Sequence, residues 1–381
     1  MKRRAWLKWG CAHCLLLSGA ASAADWMLPT RLGRPDPASD EGGLWALLDR
    51  EETRVRRSPL RLRDAGLQTY LEGVVGRLAG EHAADMRVYA LRVPMFNASM
   101  APNGMMQIWS GLLLRVDNEA QLAAVLGHEI GHYLERHSVA RLRDAKSRSA
   151  LGTFLSVFGL VGAVGALAAV GGAFAFSREH EREADRIGVE LMRRAGYETG
   201  EASKIWGNLL AELKAAGVED PAQNALFATH PANDERRADL QALTLQDARG
   251  ETREAEFRAL IAPWRFSLLE DELRRRRFEE SIVLLDRRLA SEPGDPELLY
   301  FRGEARRLRN RDGDLDLALA DLEQSVRSGR EPAIAHRSLG TLHRAQERHD
   351  AARQALQRYL ERAPEAPDAA FIRQTLEELP S

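Results

Sequence analysis

Cysteine is almost missing from this 381-residue chain: Cys11 and Cys14 are the only two. Both fall inside a segment that reads as a leader peptide. Once that is removed, no disulfide, thiolate zinc ligand or cysteine nucleophile is left. Charge imbalance is missing too, with 54 Lys+Arg against 56 Asp+Glu. A formal charge of −2 gives no global reason to expect nucleic acid as a partner, and none is expected. With 44% hydrophobic and 29% charged residues, the composition excludes a disordered chain and a polytopic membrane protein. The length suits two or three domains of ~150 residues.

What is present begins with the leader. Residues 1–23 carry Lys2, Arg3, Arg4 and Lys8, then an apolar stretch through Leu15, Leu16 and Leu17. Ala21, Ser22 and Ala23 supply the small residues of a signal-peptidase site. Export to the periplasm is expected, by the Sec route or, given Arg3-Arg4, by the twin-arginine (Tat) route. A second apolar run, residues 149–177, holds no charged side chain and is long enough to span a bilayer at ~20 residues per crossing. It is rich in glycine and alanine.

Residues 29–43 read as a linker, and 44–57 and 64–79 as amphipathic helices. Residues 85–93 and 105–110 alternate as short strands do. Asn118, with Gln121 three residues on, opens a helix that runs to about His137. A second long helix covers 178–194, with helices near 200–216 and 231–246 after it. From about residue 262 a repeat appears. Leu339-Gly340, Ala352, Leu356 and Pro364 match the tetratricopeptide pattern, Gly303, Ala318 and Leu322 form an earlier copy, and Ser281, Leu285 and Pro293 a weaker one. About three helix pairs and a capping helix are expected over 262–381.

The strongest signal is His128-Glu129-Ile130-Gly131-His132. From Leu122 to Leu134 the helix is apolar on every side apart from these polar side chains and Tyr133. Such a helix is buried, and burying two imidazoles and a carboxylate is costly unless a ligand compensates. At about 100° per residue, His132 lies about 40° round from His128 and Glu129 about 100°, so all three share one arc. Two imidazoles one turn apart can chelate one zinc ion, and the glutamate reaches a water on it.

A third ligand is sought on the second helix. Measured from Glu181, the residues Ala184, Gly188, Leu191 and Met192 fall within about 80°, which makes that its inner face. Asp185 shares this face, placed to hold a ligand imidazole. Glu179 and Glu183 fall on the opposite, solvated side with Arg186, Glu190 and Arg194. Glu181 is therefore the expected ligand. A single membrane crossing over 149–177 would put His132 and Glu181 on opposite faces. The run is then a re-entrant hairpin, a soluble helical hairpin or a flexible cover over the site, with peripheral membrane contact left open.

His128-Glu129-x-x-His132, then Glu181-Arg182-Glu183-Ala184-Asp185, then His230-Pro231 with Arg236 resemble the HtpX/CAAX-protease-like zinc metallopeptidases. A leader plus C-terminal tetratricopeptide repeats is similar to the periplasmic BepA-like (YfgC-like) branch of that family. The resemblance implies a mainly α fold: a zincin-like metalloprotease domain with a small β-sheet over 24–260, then an α-solenoid of repeats. It implies one zinc ion per chain on His128, His132 and Glu181, with Glu129 as general base.

Asn97-Ala98, Pro102-x-Gly104 and Gly111-Leu112-Leu113 resemble the segment that family places before its metal helix. The implied substrate edge is then the strand Met105, Met106, Gln107, Ile108, Trp109 and Ser110, binding peptide by strand addition. Pro231 suits a first helical position, which would put His230 at a helix cap. The family match makes His230 functional, either as a fourth zinc ligand that keeps the enzyme latent or as an oxyanion donor, with Arg236 holding its loop. The implied function is an exported endopeptidase in envelope-protein quality control. Its substrates would be unfolded or stalled envelope proteins, and its repeats would dock them or the outer-membrane assembly machinery. The alternative is a chaperone-like repeat scaffold whose metal site is largely latent.

Overall fold

The computed structural model of the chain describes residues 26–144, 176–219, 224–231, 234–244 and 250–380. The expected leader, 1–23, and residues 149–175 of the apolar run lie outside the described residues. Contacts separate a unit ending at Arg31, of which residues 26–31 carry no helix or strand, from a unit that starts at Leu32.

The second unit opens with α1 (Asp40–Arg57), capped by the Ser39 hydroxyl, and α2 (Ala65–Ala79), capped by the Asp64 carboxylate. Three short strands follow: β1 (Arg87–Leu91), β2 (Ala98–Met100) and β3 (Met105–Trp109). Their order in the sheet is β1-β3-β2. β3 runs parallel to β1, with Arg87 opposite Met105, and antiparallel to β2, with Ala98 opposite Ile108. Gly104 makes the turn between β2 and β3 at φ 86°, where a Cβ would sit 2.1 Å from the Asp85 carbonyl oxygen, so only glycine fits.

This order corrects the expectation that Met105–Ser110 is the substrate-accepting edge. The tight turn at 101–104 inserts β3 between the other two strands. Both of its sides are hydrogen-bonded, all five of its residues are buried, and Ser110 already begins α3 (Ser110–Arg115). The rim strand packed beside the metal-motif helix is β2.

That helix is α4 (Glu119–Leu134), buried along its whole length. It stops three residues short of the expected His137, because Arg136 turns the chain at φ 56° into a separate helix, α5 (His137–Asp144). Then come α6 (Arg178–Arg194), α7 (Glu201–Ala215), α8 (Ala225–Thr229) and α9 (Asp234–Thr244). Among the described residues no helix is long and apolar enough to cross a membrane.

α4 and α6 cross on a seam of small residues. A Cβ added to Gly188 would lie 2.9 Å from the His128 backbone nitrogen, and one added to Gly131 would lie 3.0 Å from the Ala184 carbonyl oxygen. Backbone cannot give way as a flexible side chain can, so this contact sets how near the two helices bring their side chains. Gly188→Val should lower unfolding free energy by about 1–3 kcal/mol, the usual range for overpacking, and weaken metal binding with it. Urea unfolding at wild-type stability would show that the seam is not tight.

The repeats follow as α10 (Glu254–Arg274) with α11 (Phe278–Ser291), α12 (Pro296–Arg309) with α13 (Asp314–Val326), and α14 (Ile334–Ala345) with α15 (His349–Arg362). α16 (Ala369–Glu378) caps them. The signature glycines sit where helix pairs meet. A Cβ on Gly340 would strike Leu356 at 2.7 Å, and one on Gly303 would meet Leu322 at 3.0 Å. The boundary expected near residue 261 falls inside a helix, since α10 starts at Glu254 and carries Pro263 mid-length. α10 packs against α3 and α4 on one side and α12 on the other, so peptidase and repeats share an element instead of a linker.

Candidate metal centre

Local capping positions both site helices. The Asn118 side chain accepts from the Gln121 N–H at 2.9 Å, and Gln121 in turn accepts from the Asp117 N–H at 2.8 Å. Both amides also donate to Glu201, at 2.9 and 2.7 Å, which ties the start of α4 to α7. α6 begins at Ser177, whose hydroxyl accepts from the His180 N–H.

From this frame His128, His132, Glu181 and His230 converge, each offering one ligand atom within 4.8 Å of the others, and all are buried. His128 Nε2 lies 3.1 Å from His132 Nε2 and 3.1 Å from His230 Nδ1. Glu181 Oε1 is 3.3 Å from His132 Nε2 and 3.0 Å from His230 Nδ1. Four donors around one zinc ion at about 2.0–2.1 Å would stand roughly 3.3–3.4 Å apart, so the spacing fits a tetrahedron.

The protonation pattern fits as well. His128 Nδ1 is 2.8 Å from the Asp185 carboxylate, so its proton lies there and Nε2 presents a lone pair. Two buried imidazole lone pairs and a carboxylate facing one point repel one another unless a cation stands between them. Glu129, just outside the cluster, is buried, and its Oε1 makes no hydrogen bond although His230 Nε2 lies 3.4 Å away. The residues present therefore suit a metal ion.

Electrostatics divide the carboxylates. Burial pushes Glu129 above the usual carboxylate range, against the nearby His230 and His128 and a hydrogen bond from the Met100 backbone. Burial would raise Glu181 too, yet Arg236 and His230 hold it well below. Asp185 is likewise held down by Arg236, which forks onto it at 2.6 and 2.8 Å and reaches Glu181 at 2.5 Å. Burial lowers His132 well below an ordinary imidazole. For His230 burial also acts downward, but the charges of Glu181 and Glu129 outweigh it and raise the ring.

The seven residues singled out by motif thus meet at one place. His230 arrives differently than expected: it closes the C-terminal end of α8, its N–H donating to the Leu226 carbonyl, and Pro231 is not helical. Three contributors carried no motif. Trp206 stands edge-on to His128, with ring centroids 6.1 Å apart, and lies under the Arg236 guanidinium at 4.9 Å. Phe176 stacks on His132 at 3.9 Å and donates its N–H to the Thr229 carbonyl beside His230. His137 meets the far side of His132, Nδ1 to Nδ1 at 3.0 Å. Burial and the adjacent His180 push His137 down to about 4. Its sequence signal was only its place five residues past His132.

A His-Glu-x-x-His helix whose histidines face a glutamate of a second helix defines a metallopeptidase site. Residues 61–244 match Peptidase family M48, and residues 311–367 match a tetratricopeptide repeat. The first match covers the strands and both site helices, and the second covers the last helices of the repeat array. It is similar to the beta-barrel assembly-enhancing protease of Yersinia pestis, 30% identical over 254 residues, which are 60% of this chain and 51% of that protein. The beta-barrel assembly-enhancing protease of Escherichia coli K12 is 29% identical over 205 residues, 49% of this chain and 41% of its own. The mitochondrial metalloendopeptidase OMA1 of Saccharomyces cerevisiae is 33% identical over 144 residues, 37% of this chain and 41% of its own. The chain spans about half or less of the length of these curated relatives.

Proposed function

We propose that this protein is a zinc-dependent endopeptidase of the bacterial envelope, acting in the periplasm on unfolded or stalled envelope proteins. The observation that carries the reading is the convergence of His128, His132, Glu181 and His230, with Glu129 beside them and free to take a proton. Zinc bound there would supply a Lewis acid for the scissile carbonyl and lower the pKa of the attacking water. Glu129 takes the proton from that water and delivers it to the leaving amine. Its burial suits this traffic, since a carboxyl pKa raised by desolvation makes the carboxylate a stronger base.

Asp185 fixes the His128 tautomer, and Arg236 holds Asp185 and Glu181 in register. Substrate backbone is read by strand addition along β2, the rim strand, whose Met100 already hydrogen-bonds Glu129. A peptide paired in this way would present its scissile bond beside the base. The repeat helices, fixed to the peptidase through α10, dock clients or an assembly partner, in line with the beta-barrel assembly in the names of the relatives.

His230 makes the resting enzyme latent. With a metal held by His128, His132 and Glu181, His230 would be a fourth donor in competition with the attacking water. The purified chain should hold about one zinc, and His230→Ala should raise casein hydrolysis several-fold while keeping the metal. A fall in turnover of roughly a hundredfold, the size of a lost oxyanion donor, would overturn latency and assign His230 to the oxyanion.

A further inference from the structure

The two α4 imidazoles are supported unequally by their immediate neighbours. His128 rests directly on a carboxylate, with Nδ1 2.8 Å from Asp185. At His132 Nδ1 the partner is instead the His137 ring, Nδ1 to Nδ1 at 3.0 Å. Two ring nitrogens at that distance share one proton. His132 Nε2 faces the ligand cluster with its lone pair, so the His132 proton is on Nδ1 and His137 accepts it. The His137 proton is then on Nε2, which lies 3.3 Å from Glu183 Oε2. The directions of both bonds follow from which atom faces the metal.

Backbone geometry is adapted to this contact. On a continuous helix His137 would stand about 140° away from His132, out of reach. Arg136 instead takes φ 56°, a left-handed conformation that a non-glycine residue keeps only where the surroundings enforce it. Arg136 is held there by an ion pair with Glu41, and its turn swings His137 back onto His132. The His180 ring stacks on His137 with centroids 4.2 Å apart and planes 22° from parallel, which fixes the ring plane.

We propose that His137 is a positioning residue that accepts the Nδ1–H of His132 and hands the contact on to Glu183, so that one helix, α6, braces both α4 imidazoles by carboxylates. Asp185 acts directly and Glu183 acts through a second imidazole. The proposal rests on the reading that the cluster binds zinc and adds to it a determinant of affinity.

The test is zinc affinity of the full chain, measured by competition with a chromophoric chelator, in two matched pairs of variants. His137→Leu keeps the bulk and removes the acceptor, whereas His137→Asn puts an amide oxygen close to where Nδ1 was. His137→Leu should weaken zinc binding about 10–100-fold, and His137→Asn should recover most of that. Glu183 has a side chain 42% exposed, so its variants should fold; Glu183→Ala should weaken binding several-fold and Glu183→Gln restore it. Nitrogen NMR of the metal-free chain should show His132 protonated at Nδ1 in the wild type and a mixture of tautomers in His137→Leu. Wild-type affinity in His137→Leu, or equal weakness in the Leu and Asn variants, overturns the proposal. Should His137→Leu fail to fold, unchanged affinity in Glu183→Ala overturns it instead. A wild-type chain that binds no zinc would refute the metal site itself, a result separate from any difference among variants.

Discussion

Glu129→Gln should leave zinc content unchanged and lower peptide hydrolysis by roughly 10²–10⁴-fold, the range for loss of a general acid–base. The side chain stands outside the four-donor cluster, so the substitution removes no ligand. Glutamine matches glutamate in shape and can still accept from the Met100 backbone, so local packing survives. What it cannot do is take a proton from water and give it to a leaving amine. Because His230 is expected to hold the resting enzyme closed, the comparison is sharpest in the His230→Ala background, where turnover is higher. Client binding by the repeats should be the same in both proteins. Hydrolysis by Glu129→Gln at the parent rate, with metal bound, would remove Glu129 from the mechanism.

How much of this was legible in the sequence depended on how local each cause is. The metal helix declared itself, because an all-round apolar segment has no reason to bury two histidines and a glutamate without a ligand. Helical phase alone separated Glu181 and Asp185 from Glu179, since a 17-residue helix with one apolar face leaves little freedom. The same phase argument put Glu183 on the solvated side. It could not foresee that the left-handed turn at Arg136 carries His137 across to meet it. Alternation marked β3 as a strand but said nothing of its neighbours. Its central place follows from its parallel pairing with β1, eighteen residues earlier in register, which no local pattern encodes. His230 was legible only through family resemblance, as its approach depends on α8 packing against Trp206 rather than on any pattern near residue 230.

Replacing Arg115 by leucine should cost about 3–5 kcal/mol of unfolding free energy, the range for removing one partner from a buried ion pair. Arg115 belongs to α3 and is buried between two carboxylates from different parts of the chain. Its Nε donates to Glu212 of α7 at 2.6 Å, and its fork donates to Glu272 of α10 at 2.8 and 3.0 Å. The two acids respond differently. Burial acts upward on both, and on Glu212 it prevails. On Glu272 the charges of Arg115 and Arg275 prevail and hold it at about 2. A carboxylate depressed in this way contributes stability that is present above its ordinary pKa and is lost only as pH falls towards about 2. Without Arg115 that contribution shrinks, so the cost of the substitution should be largest near neutral pH and narrow as pH falls below the ordinary glutamate range. Arg287 of α11 reaches the Arg115 carbonyl at 3.0 Å, and Arg92 grips Asp271 of α10 at 2.6 Å, so the damaged junction is the one that fixes the repeats to the peptidase. Urea unfolding should therefore separate into two transitions in Arg115→Leu. Arg274→Ala, which removes a side chain 64% exposed on the same helix, should stay within about 0.5 kcal/mol of wild type. A loss below about 1 kcal/mol in Arg115→Leu would mean that apolar packing of α10 on α3 and α4, and not the buried ions, holds the two parts together.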